Sequence, residues 1–262
     1  MKTTINSDKI QNCEIEYSRC FCKTVEQQNY IRFRDDLLKD MYSHNFTLIK
    51  HSNSDDEFHK LVEDEILLRK AEGSDFCNIV SFVPVSEFLL QKFDIKPEIS
   101  VNGFYLFDSS KLSELKIRQN DCVISKISDQ AMINDSLSIE LDVFGDIMSN
   151  DFLTRKSNIR KEVYFSPESL NSYICYENGE SIGACDLFVY KDTAKIEDFS
   201  VSIKKQRQGY GTVILKSIIE TALNSNASTI YLVTDEDDTA KEMYLKCGFK
   251  KIGIKTDLFF KL

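Results

Sequence analysis

The feature that most limits the fold is a change in apolar spacing within the second half of the chain. Residues 170–176, 181–190 and 193–203 are predicted as three strands joined by short turns, and Asn178-Gly179 is a strong hairpin signal. From residue 209 to 224 the apolar residues recur with the helical period instead. An antiparallel meander that passes into a long helix predicts a mixed α/β sheet with helices on its faces.

The segments on either side extend this alternation of strands and helices. Downstream, we predict a short strand, a second helix and one or two closing strands, at residues 229–233, 239–247 and 249–262. Upstream, we predict a short strand at 122–127 and two helices within 128–163, broken near Gly145.

Composition and charge exclude several classes of function. The chain has 33 Lys and Arg against 42 Asp and Glu, and the excess is spread over both halves, so we expect no nucleic-acid partner. No run of about 18 apolar residues predicts a membrane span. Residues 1–12 have no apolar signal-peptide region, so we expect a cytoplasmic protein whose eight cysteines stay reduced. The cysteines lack C-x-x-C spacing and the three histidines are scattered, so we expect no metal site.

The junction between the meander and the long helix carries the chemistry. Gly209 and Gly211 stand where the chain turns into a helix N-terminus. Backbone N–H groups are unpaired there, and with the helix dipole they form an anion site. Glycine lets a phosphate approach the backbone closely, and Arg207 with Lys204 or Lys205 adds positive charge.

Two common phosphate loops are excluded. Ile214 occupies the position of the third small residue of a dinucleotide fingerprint, and no Gly-Lys-Ser/Thr of a Walker loop is present. What remains is Gln/Arg-x-x-Gly-x-Gly, with Val201 five residues before Gln206. The later Tyr244-Leu-Lys-Cys-Gly-Phe, with Ala240 four residues before its Tyr, completes the pattern. Over about residues 120–262 this sequence resembles the GNAT family of N-acetyltransferases.

The resemblance implies acetyl transfer from acetyl-CoA, a co-substrate, to an amine that attacks directly. The pantetheine would then lie along the third meander strand, at Phe199, Ser200 and Val201. The pyrophosphate would lie on the backbone amides of Gln206, Arg207, Gln208, Gly209, Tyr210, Gly211 and Thr212.

The resemblance also implies two catalytic residues. Tyr244 matches the position of a general acid that protonates the departing thiolate, and Glu197 matches an acidic position that can deprotonate the incoming ammonium. Core packing for Tyr244 and a surface charge for Glu197 are the alternatives. Asp237 replaces an Asn that many members carry, which puts a cofactor contact there in doubt. The acidic run 235–238 is interpreted as a helix start or as a site that attracts a cationic amine.

The first half has no phosphate loop. Its helix, strand and helix, predicted at 58–71, 76–83 and 86–92, repeat the order of the second half. We therefore interpret residues 1–118 as an α/β domain that is a degenerate copy without the cofactor loop, and 119–262 as the acetyltransferase domain. Helix–strand–helix is a common order, so coincidence is an equal alternative.

The sequence thus predicts an acetyl-CoA-dependent N-acetyltransferase. Its acceptor is a small-molecule or a protein amine, and no motif identifies which, nor the oligomeric state. Two alternatives stay open: a non-catalytic acyl-CoA-binding regulatory module on the same fold, and a protein-interaction scaffold that would not need the loop.

Overall fold

The computed structural model describes residues 7–117, 122–166 and 170–262. The elements of the first half are, in chain order, α1 (Asp8–Arg19), β1 (Lys23–Glu26), β2 (Tyr30–Arg34), β3 (Phe46–Ile49), α2 (Asp55–Ala71), β4 (Phe76–Ser81), α3 (Glu87–Lys92) and β5 (Glu98–Phe107). Those of the second half are β6 (Cys122–Lys126), α4 (Gln130–Phe144), α5 (Asn150–Tyr164), β7 (Leu170–Glu177), β8 (Glu180–Tyr190), β9 (Thr193–Val201), α6 (Tyr210–Asn224), β10 (Thr229–Asp235), α7 (Ala240–Lys246) and β11 (Phe249–Lys261).

Local signals in the sequence explain these boundaries. Asn178 and Gly179 both have positive φ, as a tight hairpin turn between β7 and β8 requires. Side chains of Asp129 and Ser149 accept hydrogen bonds from backbone amides in the first turns of α4 and α5, and α4 ends before Gly145. The predicted order of the second half is confirmed, and its closing segment is one strand.

The strands form one mixed sheet across the described ranges, ordered β1-β2-β3-β4-β11-β5-β10-β9-β8-β7-β6. In each half the strand before the long helix runs parallel to the strand after it. These pairs are β3 with β4, on either side of α2, and β9 with β10, on either side of α6. The last strand of each half then crosses over, because β5 pairs with β10 and β11 pairs with β4. The two crossed strands pair with each other at the centre.

This crossing joins the two halves into one sheet. The predicted boundary at 118/119 lies outside the described residues, but β5, which precedes it, is hydrogen-bonded on both sides to strands that follow it. The second half therefore depends on a strand of the first.

Helices cover both faces of the sheet. Apolar clusters place α2, α3, α6 and α7 on one face and α1 and α4 on the other. A mixed sheet with flanking helices is the predicted fold class, which the structure confirms.

Phe104 tests the dependence of both halves on β5. Its side chain is fully buried and contacts the rings of Phe82 and Tyr231, which belong to different halves. We expect Phe104→Ala to lower the free energy of unfolding by about 3–5 kcal/mol, in one cooperative thermal transition. The control is Phe88→Ala, since that side chain is exposed. Equal small losses in both variants, or two separate transitions, would contradict the account.

Candidate active site

The site begins where two parallel strands part. β9 and β10 pair from Thr193 with Thr229 to Ile196 with Leu232. Beyond that point β10 keeps only β5 as a partner, and residues 197–201 of β9 pair only with β8. One backbone edge of β9 therefore faces a gap, and Phe199, Ser200 and Val201 lie along it.

A β-bulge shapes β9 at the mouth of this gap. The register against β8 shifts between Ala184 and Asp186, and Asp198 adopts a positive φ of 46°. The Asp198 carboxylate forms an ion pair with the buried Arg160 of α5 and lies 3.9 Å from Lys156 Nζ. Because a non-glycine residue rarely adopts this conformation, the ion pair stabilises a strained turn of the strand.

The loop after β9 is fastened to α4 at one end. The Asp142 carboxylate accepts hydrogen bonds from Ser202 Oγ and the Ile203 amide, both at 2.8 Å. The chain then passes through two positive φ angles, 60° at Arg207 and 98° at Gly209, before α6 begins. These angles turn successive N–H groups outward from the helix start.

Five consecutive amides at this turn, those of residues 207–211, donate to no acceptor within the described ranges. Two further amides predicted to bind phosphate are already used: Gln206 donates to Ser202 O and Thr212 to Gly209 O, both at 3.1 Å. The helix that follows has 15 residues, so its dipole adds positive potential at the same point. The arrangement is an anion site.

Cationic side chains surround the five amides unevenly. Lys204 and Arg207 are exposed and form no ion pair with any described residue. Lys205 is bound to Glu177, which also accepts a hydrogen bond from Tyr210. Lys204 and Arg207 are therefore available to bind an anionic ligand.

Gly211 has a second role in packing. A Cβ at this position would lie 2.9 Å from Met243 Sδ and 3.7 Å from the ring of Phe199. The start of α6 therefore packs closely on α7 and β9, which brings the anion site against the gap.

Tyr244 projects from α7 onto β9. Its ring makes edge contacts with Phe199 and Phe249, with centroid distances of 6.2 and 6.0 Å. The side chain is 7% exposed, and burial raises the pKa of the Tyr244 phenol, so the hydroxyl keeps its proton at neutral pH. Its hydroxyl bonds to no described residue.

Glu197 lies at the mouth of the gap, on the face covered by α1. Its carboxylate pairs with Lys195 Nζ at 2.9 Å, and the same ammonium pairs with Glu14 Oε1 at 2.7 Å. Glu14 also binds Lys255 at 3.0 Å. The candidate base therefore belongs to a buried network of charges that reaches α1 in the first half.

The acidic run before α7 is bonded to its own backbone and, through Glu236, to Tyr105 and Lys251 of neighbouring strands. Asp235 accepts from the Asp237 amide and Asp238 from the Ala240 amide, at 2.8 and 2.9 Å. These bonds favour the interpretation of the run as a helix start over its interpretation as a site that attracts a cationic amine. They leave Asp237 without a visible role at the anion site.

Comparison with known proteins identifies a family for one segment of the chain. The model of the acetyltransferase (GNAT) family matches residues 141–249, the segment that contains the gap, the anion site and Tyr244. These residues form a GNAT acetyltransferase domain.

One curated protein and two solved structures extend the likeness over more than nine tenths of the chain. The Bacillus subtilis (strain 168) protein named uncharacterized N-acetyltransferase CgeE is 24% identical over 250 residues, 91% of this chain and 92% of its own. A functionally unknown conserved protein from Staphylococcus epidermidis ATCC 12228 has a TM-score of 0.77 at 22% identity, covering 92% and 94%. A tandem GNAT protein from the clavulanic acid biosynthesis pathway has a TM-score of 0.58 at 10% identity, covering 95% and 87%.

A cavity of about 170 Å³ adjoins the GNAT gap on the α1 face. Both halves line it, and its charged residues are Glu14, Arg160, Lys195, Glu197, Asp198, Lys255 and Asp257. Sequence reasoning identified only Glu197 among them. A charged residue inside an otherwise apolar strand, such as Lys195 between Ala194 and Ile196, is the one local sign of the other cavity residues. Local sequence does not show that such residues, which come from distant segments, lie close together.

Asp186 of β8 lies beside the bulge, and its carboxyl makes the stability of the protein depend on pH. Tyr164 donates a hydrogen bond to it at 2.9 Å, and burial raises the pKa of this carboxyl to about 6. Because the folded protein holds this proton more tightly than the unfolded chain, the contribution of Asp186 to stability falls as pH rises from about 4 to 6.

Asp186→Asn should remove this loss. We expect the variant to gain roughly 1–3 kcal/mol in unfolding free energy relative to wild type between pH 4 and 7. Denaturant unfolding at several pH values measures the difference. A difference between the two proteins that does not change with pH would show that the carboxyl does not titrate in this window.

Proposed function

We propose that this protein transfers the acetyl group of acetyl-CoA to a primary amine. The observation that carries the proposal is the row of five unpaired amides at residues 207–211, beside the open edge of β9. A pyrophosphate needs several converging N–H donors, and an extended pantetheine needs a strand edge. The GNAT domain has both features side by side, the amides at residues 207–211 and the open edge of β9 at residues 199–201.

The residues at the gap supply the chemistry of direct transfer. The amine nitrogen would attack the thioester carbonyl carbon, the C–S bond would break, and a backbone N–H of β9 would stabilise the oxyanion. Glu197 would accept the proton of the incoming ammonium, directly or through water, and Tyr244 would protonate the departing thiolate. The ring contact between Tyr244 and Phe199 supports this role, since Phe199 belongs to the strand along which the pantetheine would lie.

One observation favours the non-catalytic alternative. Glu197 is already paired with Lys195, so its carboxylate has a structural partner in the absence of any substrate. An acyl-CoA-binding module would keep the same loop and need no base. Release of free thiol from acetyl-CoA in the presence of a panel of amines distinguishes the two functions.

We also propose that the first half is a degenerate copy that has lost its cofactor site. The parallel pairs β3–β4 and β9–β10 and the crossed last strands support this, as does the likeness to a tandem GNAT protein. At the N-terminus of α2, Ser54 Oγ accepts from the Glu57 amide and Glu57 accepts from the Asn53 amide. Side chains of the chain itself thus occupy part of the α2 N-terminus, whereas no described side chain accepts from an amide of residues 207–211.

Gly209→Val tests the loop. Its φ of 98° disfavours a β-branched residue, and a side chain would fill the space that a pyrophosphate needs. We expect affinity for acetyl-CoA, measured by calorimetry, to fall at least tenfold, about 1.4 kcal/mol. The control is Gly73→Val, since Gly73 has a φ of 72°, open surroundings and no place in the loop. Equal affinity in both folded variants would show that the loop is only a helix start.

Tyr244→Phe tests the general acid. The change removes one oxygen and keeps the ring, so turnover should fall roughly 10²–10⁴-fold while affinity for acetyl-CoA stays constant. Tyr190→Phe, at the far end of β8, is the control. Near-normal turnover at every pH, with any loss confined to the melting temperature, would assign Tyr244 to packing.

A further inference from the structure

Among the described residues, the lining of the cavity on the α1 face has more carboxylates than cations. Each basic side chain in its lining is paired: Lys195 with Glu14 and Glu197, Lys255 with Glu14, and Arg160 with Asp198. Four carboxylates therefore face three cations, and the carboxylate left over is Asp257.

Two buried oxygens in the lining have neither a hydrogen bond nor an ion pair with any described residue. Asn78 is 4% exposed; its Nδ2 donates to Tyr42 O at 3.3 Å, while its Oδ1 accepts nothing. Asp257 Oδ2 accepts from Asn102 at 3.2 Å, while its Oδ1 accepts nothing. A buried acceptor without a donor is costly, so such atoms indicate a missing ligand or bound water.

The two oxygens belong to one place in the sheet. Asp257 of β11 stands opposite Val80 of β4, and Asn78 is two residues along on the same face. Their side chains are diagonal neighbours, about 7–8 Å apart at the Cα atoms. Glu197, the proposed base, lines the same cavity.

We propose that this cavity holds the acetyl acceptor, and that the acceptor is a small amine with a second hydrogen-bond-donating, preferably cationic, group bound by Asn78 and Asp257. The inference rests on the acetyltransferase function proposed above. A cavity of about 170 Å³ is close to one that holds benzene, about 150 Å³, so it suits a small molecule and not a folded protein surface. Burial raises the pKa of Asp257 although Lys255 lowers it, as expected for a carboxylate that lacks a sufficient counter-charge.

The full-length protein, acetyl-CoA and two matched series of probes test the proposal: α,ω-diaminoalkanes of increasing length, and monoalkylamines of the same lengths. We expect a lower KM for diamines. Asp257→Asn and Asn78→Leu should each raise the diamine KM about tenfold or more, and leave kcat and the monoamine KM unchanged. The control is Asp56→Asn, an exposed carboxylate paired with Lys92 outside the cavity.

The outcomes separate this inference from the function on which it rests. If the variants change both amine series equally, or neither, Asn78 and Asp257 do not bind a second group of the acceptor and the inference is overturned. If the wild type acetylates no amine but binds acetyl-CoA, the proposed activity fails. Calorimetry of a diaminoalkane then decides the inference by itself, since Asp257→Asn, which keeps the side-chain shape, should weaken that binding about tenfold or more. No binding to wild type would overturn it.

Discussion

The antiparallel pairing of β5 with β11 is the interaction on which the rest of the structure depends. It runs from Phe107 opposite Phe249 to Glu98 opposite Phe259. Each strand belongs to one half and completes the sheet of the other. Because of this exchange, β11 places Lys255 and Asp257 within reach of α1 and β4, so the first half forms a wall of the cavity beside the GNAT gap.

The anion site depends on a second constraint, which is the parting of β9 from β10. The chain leaves the sheet and turns into α6 through left-handed backbone, which Gly209 adopts readily and Arg207 adopts at a cost. The hydrogen bonds of Asp142 hold the other end of the loop on α4. The strain and the anchor together keep five amides directed outward, with no acceptor in the part of the chain that the structure describes.

Much of the second half could be predicted from local sequence, since period, turn residues and caps act over short distances. The hairpin at Asn178-Gly179, the break at Gly145 and the long helix after Gly209 are confirmed. The strand exchange could not be predicted, because no local pattern shows whether β11 pairs with β10 or with β4 and β5. The cavity was missed for the same reason: Glu14, Lys195 and Lys255 meet across more than half of the chain. The roles of Glu197 and Tyr244 stay predictions.

The central claim is that the amides of residues 207–211 bind the pyrophosphate of acetyl-CoA. Titration of the ¹⁵N-labelled full-length protein with acetyl-CoA, followed by amide chemical shifts, tests it most directly. The account predicts saturable shifts, largest at residues 207–211 and along 199–201, with no comparable change at the start of α2. Binding that leaves these amides unmoved, or shifts centred on residues 50–57, would contradict it.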